Sequence, residues 1–253
     1  MKRTSIRFGT WLAVLLVAIP LATPPAAVAA RGGGGGGGGG GMGVTITAAY
    51  VAGANGLDPA DASWNQASAV TVTLNRFIDY VASGGGDMCM GTSVNRPVTV
   101  RAAHNGADIF FRFEWADATA DTMTDDTPKF ADAFAMEIPY SGGNAPIAMG
   151  SQTNPVNIAF WRADLAQPQN IVAGGIGTPQ PSPDAQNLSH YQNWGNGAWT
   201  VIVKRPLTGA SVNQVTFARG ASYSITFANW NGSDANRNGR KAIAMGWNTL
   251  SIQ

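Results

Sequence analysis

The strongest constraint on the fold is a two-residue hydrophobic rhythm that recurs along most of the chain. In residues 109–115, Ile109, Phe111, Phe113 and Trp115 fall on one side, and Arg112 and Glu114 fall on the other. Successive side chains of a strand point to opposite faces, so this pattern describes a half-buried strand. Val98, Val100 and Ala102 alternate with Thr99 and Arg101, and Trp199, Val201 and Val203 with Thr200, Ile202 and Lys204. Tyr223, Ile225 and Phe227 alternate with Ser224 and Thr226, Phe134, Met136 and Ile138 repeat the spacing, and residues 156–161 read as a shorter apolar strand. Turn pairs separate these runs: Asn105-Gly106, Gly142-Gly143, Gly174-Gly175, Asn196-Gly197 and Asn231-Gly232. No long stretch has a 3.6-residue period. The expectation is an all-β fold: one large antiparallel β-sandwich with decorated loops and few short helices, spanning residues 44–253. Neither a linker nor a repeat divides this span, and residues 174–183 read as a long surface loop.

The first 43 residues read differently. Lys2, Arg3 and Arg7 precede an apolar run that begins at Trp11, and Ala27-Val28-Ala29 supplies an A-x-A cleavage signal. Residues 1–29 therefore read as a secretory signal peptide, since Pro20, Pro24 and Pro25 interrupt the run before it could span a bilayer. Residues 30–43 hold an unbroken glycine tract, Gly32 to Gly41, which reads as a flexible tether. The expected product is exported, with no membrane span in the mature chain.

Composition excludes several classes of function. Charged residues make up 12% of the chain, with a net charge of +1, where a soluble domain typically carries about 25%. No basic excess points to a nucleic-acid partner. The single cysteine, Cys89, excludes an internal disulfide, a covalent c-type haem and a four-cysteine iron–sulfur cluster; it reads as a small core residue. His104 and His190 read as loop or surface histidines, with no nucleophile elbow to complete a triad and too few partners for zinc. Asp117, Asp121, Asp125 and Asp126 could hold calcium but lack the EF-hand spacing, so a solvated loop is expected. Glu114 and Glu137 are the chain's glutamates, and both sit inside predicted strands.

Four separated segments carry a more specific signal. The first is Asp58-Pro59-Ala60-Asp61-Ala62-Ser63-Trp64 with the strand after it. The second runs from Val98 through Arg101, His104 and Gly106 to Trp115 and Asp117. The third runs from Phe130 and Asp132 through Met149-Gly150 to Trp161 and Asp164. The fourth joins Trp199, Arg205-Pro206-Leu207, Phe227, Trp230, Arg237 to Lys241, and Trp247. This ordered set resembles the haem b-binding gamma subunit of ethylbenzene dehydrogenase and its relatives in the dimethylsulfide, selenate and chlorate molybdenum oxidoreductases. The resemblance implies a β-sandwich holding one non-covalent haem b. It also implies a methionine ligand in a Met-Gly turn, matched by Met149, and a lysine ligand near the C-terminus, matched by Lys241. The implied partners are molybdopterin and iron–sulfur subunits and a soluble c-type cytochrome.

The chemistry of that pair is coherent. A thioether is a soft neutral ligand that tends to raise a haem potential. A lysine binds iron only as the neutral amine, a form favoured by burial. Two protein ligands leave no open iron position, so the implied role is electron transfer rather than catalysis by the chain alone. Trp161, Trp230, Phe160 and Phe227 are candidates for the porphyrin wall, although core packing accounts for them equally well. Arg237 or Arg240 could meet the propionates. Met245, Met136, Met88, Met90, His104 and His190 are the alternative ligands. A second reading is a family 9-type carbohydrate-binding module without haem. Its early Trp motif looks like the one at Trp64, and Tyr191, Trp194 and Trp199 would be exposed to stack on sugars.

Overall fold

The computed structural model describes residues 43–77, 95–124, 129–141, 145–147 and 149–253. The expected leader and glycine tract (residues 1–42), Cys89, Met88, Met90, Asp125, Asp126 and the Gly142-Gly143 turn lie outside the described residues.

Two packed layers of strands form the domain. One contains β1 (Thr45–Tyr50), β3 (Arg96–His104), β4 (Asp108–Ala116), β9 (Ser189–Gly195), β10 (Ala198–Pro206) and β13 (Asn248–Ile252). The other contains β5 (Ala133–Pro139), β6 (Val156–Arg162), β7 (Gln169–Ala173), β8 (Gln180–Pro181) and β12 (Lys241–Ile243). Two long strands, β2 (Val70–Phe77) and β11 (Ser222–Trp230), belong to both layers. The first part of β2 pairs with β3 and its end with β12. Likewise β11 pairs through Ser222 to Ile225 with β13, then through Thr226 to Trp230 with β5. The only helical element among the described residues is the 3-10 turn η1 (Ala62–Asn65).

The pairing departs from the all-antiparallel expectation at one strand. β1 runs parallel to both β13 and β3 and lies between them. These are the contacts of one short strand with partners far away in sequence, which local patterning does not encode.

The alternation itself holds. Ile109, Phe111, Phe113 and Trp115 face the opposite layer with Val98, Val100, Trp199, Val201, Phe134, Met136, Ile138 and Phe227. Their rings interlock: Phe113 meets Phe134 at 4.4 Å between centroids, and Trp161 meets Trp199 edge-on at 5.1 Å. Burying side chains of this size supplies most of the fold's stabilisation, at roughly 1.5–3 kcal/mol each. The β9–β10 hairpin closes on Asn196-Gly197, both at positive φ (54° and 74°), as a two-residue primed turn requires.

The outer faces differ. On the first layer, residues around η1 cover Phe110 and Ile202 with Trp64, Ala54 and Ala67, and Arg112 lies over the Trp64 ring while bonding Pro59 O at 2.8 Å. The second layer carries a separate apolar cluster on its outer side, and every residue of β5 is buried.

Candidate functional site

Register fixes what lies on the outer face of the second layer. Glu137 on β5 sits between Ile158 of β6 and Thr226 of β11, and Ala135 between Phe160 and Ala228. The two alanines leave a low floor between larger side chains. Phe160 and Trp230 flank it and meet edge-on, with centroids 5.6 Å apart and planes at 90°. Val156, Ile158, Ala145 and Trp247 continue the same apolar cluster. Lys241 opens β12 on this face; it is buried, and its Nζ lies 5.0 Å from the Trp230 ring centroid, within cation–π reach when charged.

Met149 packs against the same cluster from the loop between β5 and β6. Its backbone is left-handed, with φ of 74°, a conformation that costs a non-glycine residue about 1–2 kcal/mol and that tends to occur where function requires it. Gly150 follows at φ 65°. Three hydrogen bonds pin the turn: Gly150 N donates to Pro146 O at 3.1 Å, Gly175 N to Met149 O at 2.7 Å, and Met149 N to Glu137 Oε2 at 3.1 Å.

The last of these bonds brings in a residue that sequence reasoning noted only as a carboxylate within a strand. Burial pushes the Glu137 carboxyl up to about 7, while the Met149 amide and the charge of Lys241 oppose the rise. Its other oxygen, Oε1, is buried without a hydrogen-bond partner, an arrangement that is costly unless something else occupies the site. The available signal was its parity: Phe134, Met136 and Ile138 face inward, so Ala135 and Glu137 must face outward.

The structure divides the expected porphyrin wall. Trp230 and Phe160 share the face that carries Met149 and Lys241. Trp161 and Phe227 do not; each is 1% exposed in the core between the layers. The reason is the period of two: Trp161 follows Phe160 and Phe227 precedes Ala228, so each points away from its neighbour. Arg237 and Arg240 form a bridge in the loop before Lys241, Arg237 lies over Phe130, and Trp230 Nε1 bonds Asn238 O in the same loop at 3.1 Å. That loop borders the face.

The alternative ligands are dispersed. Met136 is in the inner core and Met245 is 57% exposed. His104 corrects the surface expectation: it ends β3 with no exposure, its Nε2 2.8 Å from Gln253 O, because the C-terminal strand and β1 cover it. His190 is a half-buried residue of β9, with Nε2 3.1 Å from Gln192 Oε1. Burial lowers the pKa of both histidines.

Of the expected loop aspartates, Asp117 and Asp121 are structural rather than solvated. Asp117 is buried in an ion pair with Arg96 at 2.8 Å and accepts from Asn231. Asp121 accepts from Thr119 and from Ser233 N. Nearby Asp132 accepts from Asp121 N, Trp199 Nε1 and Gly232 N, each at 2.9 Å. Among the described residues, no group of three or more His, Cys, Asp and Glu side chains could hold a metal ion. The expected sugar-stacking aromatics are also occupied: Trp199 is 2% exposed, half-buried Trp194 donates to Asp117 O, and half-buried Tyr191 packs against the cluster of Phe110, Ile202 and Trp64. No described helix is long and apolar enough to cross a membrane.

The sequence model of the ethylbenzene dehydrogenase family matches residues 61–185 and 175–242. The chain is 33% identical over 198 residues to the chlorate reductase subunit gamma of Ideonella dechloratans, covering 78% of this chain and 80% of that one. It is 32% identical to a Haloferax mediterranei protein provisionally named a respiratory nitrate reductase heme subunit, covering 74% and 65%. It is 30% identical to the dimethylsulfide dehydrogenase subunit gamma of Rhodovulum sulfidophilum, covering 59% and 58%. Among solved structures, a family 9 carbohydrate binding module from Caldicellulosiruptor kristjanssonii in complex with glucose aligns at a TM-score of 0.48 and 8% identity, covering 83% of this chain and 95% of that one.

Proposed function

The chain belongs to the ethylbenzene dehydrogenase family, and from that membership we propose that it is an exported electron-transfer subunit holding one non-covalent haem b between Met149 and Lys241. The observation that carries the reading is the outer face of the second layer. A thioether in a strained, pinned turn and a buried amine occupy the same apolar surface, with the carboxylate of Glu137 in contact with the turn and in the field of the amine. The names of the relatives, two gamma subunits and one heme subunit of reductases and a dehydrogenase, point the same way.

The donor set suits the group. The face offers one soft neutral sulfur and one amine, a ligand pair for iron rather than for a hard cation. Above the floor of Ala135 and Ala228, the touching rings of Phe160 and Trp230 offer an apolar surface against which a flat ring system would lie. When bound, haem supplies a one-electron iron couple. Met149 and Lys241 would hold it and would leave no open iron position for substrate, so the chain by itself would need no acid, base or nucleophile. Phe160 and Trp230 would shield the group from water, and Arg237 and Arg240, in the loop that borders the face, would supply cations for propionates. Molybdopterin and iron–sulfur subunits would deliver or accept electrons on one side, and a soluble c-type cytochrome on the other. The leader would place this exchange in the periplasm.

The absorption spectrum of the exported protein tests the reading. It predicts a red protein with a six-coordinate, low-spin haem, and Met149→Ala and Lys241→Ala each give a five-coordinate or haem-poor protein. An unchanged low-spin spectrum in both variants would exclude these ligands, and a protein that stays colourless when supplied with haem would exclude the cofactor.

A further inference from the structure

Met149 keeps a left-handed backbone, at φ 74°, of a kind that a non-glycine residue holds only where its surroundings over-determine it. Its carbonyl is fixed from outside its own loop, by Gly175 N at 2.7 Å. Strand register explains the meeting. Ala173, the last residue of β7, pairs with Val156 at the start of β6, so the chain leaving β7 runs beside the Met149 loop. Gly174 lies close enough that an added Cβ would sit 3.5 Å from Gln152 Cα. One hydroxyl then braces the segment from Gly174 to Thr178. Gly174 N donates to Thr178 Oγ1 at 3.0 Å, and Thr178 Oγ1 donates to Gly175 O at 2.7 Å. Three of these five residues are glycines, which lose the most backbone freedom on ordering. Residues 176–180 are exposed, so packing does little to fix the loop.

We propose that Thr178 is a positioning residue for the Met149 ligand: its hydroxyl braces the β7–β8 loop so that the Gly175 N–H meets Met149 O, and that bond holds the strained turn in the conformation that presents the thioether. This rests on the haem reading above. A neutral thioether gains no charge attraction to iron, so how firmly it stays depends on how little its turn must reorganise to present it. The hydroxyl acts through Gly175 rather than on the sulfur. Because Thr178 is exposed, its side chain carries little of the fold's stability, which separates this role from a general structural one.

Thr178→Val tests this, since valine keeps the branched shape and removes the hydroxyl. Thr178→Ser restores the hydroxyl, and Thr71→Val, at an exposed threonine of β2 in the first layer, is the control. Imidazole is titrated into the ferric, haem-loaded proteins, and loss of the near-infrared sulfur-to-iron charge-transfer band reports displacement of the thioether. Losing two hydrogen bonds should lower the half-saturating imidazole concentration about 3- to 30-fold in Thr178→Val. Thr178→Ser and Thr71→Val should stay at the wild-type value. Amide hydrogen exchange of the haem-free proteins gives a second measure: the Gly175 N–H should be protected in the wild type and exchange faster in Thr178→Val. A wild type with the charge-transfer band whose Thr178→Val variant has the same imidazole half-saturation overturns the role of Thr178 and leaves the haem reading standing, even if Gly175 exchanges faster. A wild type that is red but lacks the band overturns Met149 as ligand, and one that binds no haem overturns the haem reading; either removes the proposal with it.

Discussion

Replacing Gly150 by alanine isolates what the Met149 turn requires, because a second glycine provides its own control. Gly53 and Gly150 both have left-handed backbones, with φ of 74° and 65°. An alanine at either costs about 1–2 kcal/mol for the backbone alone. At Gly53 an added Cβ meets nothing within 4 Å, so that cost is the whole effect. At Gly150 it would lie 2.5 Å from Asn154 O and 2.9 Å from Val156 Cγ1. The carbonyl cannot move freely, since Asn154 O accepts from Ser151 N at 3.0 Å and Asn154 N donates to Ser151 O at 3.1 Å, closing a tight turn. Overpacking against such a neighbour adds roughly 1–3 kcal/mol, for a total of about 2–5 kcal/mol. In urea unfolding of the haem-free protein, Gly150→Ala should lose roughly 1–3 kcal/mol more than Gly53→Ala with an unchanged m-value. For a domain of this size that is a further fall in Tm of roughly 2–10 °C. On the proposed haem reading a second measure follows: Gly150→Ala should displace the Met149 turn and lower the low-spin fraction of the haem-loaded protein, and Gly53→Ala should not. Equal urea midpoints for the two variants would show that the turn is not held as described.

Two further outcomes follow from the same geometry. Burial raises the Asp132 carboxyl from an ordinary 3.8 to about 6, with the Asp117 charge adding to the rise. Its contribution to stability is fully present below about pH 4 and is lost as pH rises through 6, a decline of about 3 kcal/mol. Asp132→Asn should flatten the pH dependence of the urea midpoint by that amount between pH 4 and 7, and identical slopes in the two proteins would refute it. The two faces of the second layer should also separate: Phe227→Ala costs about 3–5 kcal/mol of stability and leaves the ligands in place, whereas Phe160→Ala costs less stability and loosens the haem. Measuring unfolding and haem release in both variants checks this, and the reverse pattern would place the cofactor between the layers.

Much of this protein is legible in its sequence because the period of a strand is a local property. Parity alone assigns Phe111, Phe113, Trp115, Phe134 and Val201 to the inner core, and applied consistently it separates Phe160 from Trp161 and Phe227 from its neighbours. It also places Glu137 outside. Asn196-Gly197 announces its hairpin because two adjacent positive-φ positions favour those residues. The order of the Met149 and Lys241 segments conveys the family. Other features depended on long-range contacts. His104 reads as a surface residue until β1 and the C-terminal strand are laid over it, and Trp199 as an exposed platform until the opposite layer covers it. The parallel insertion of β1 joins residues about 200 positions apart, and no local propensity encodes such a pairing. The contact of Glu137 with the Met149 amide, and the placing of Lys241 beside Trp230, depend on register between strands. Residue types and their spacing determine which side chains can share a face; only the tertiary structure decides which of those faces and loops meet, and so that the Glu137 carboxylate ends up against the Met149 turn.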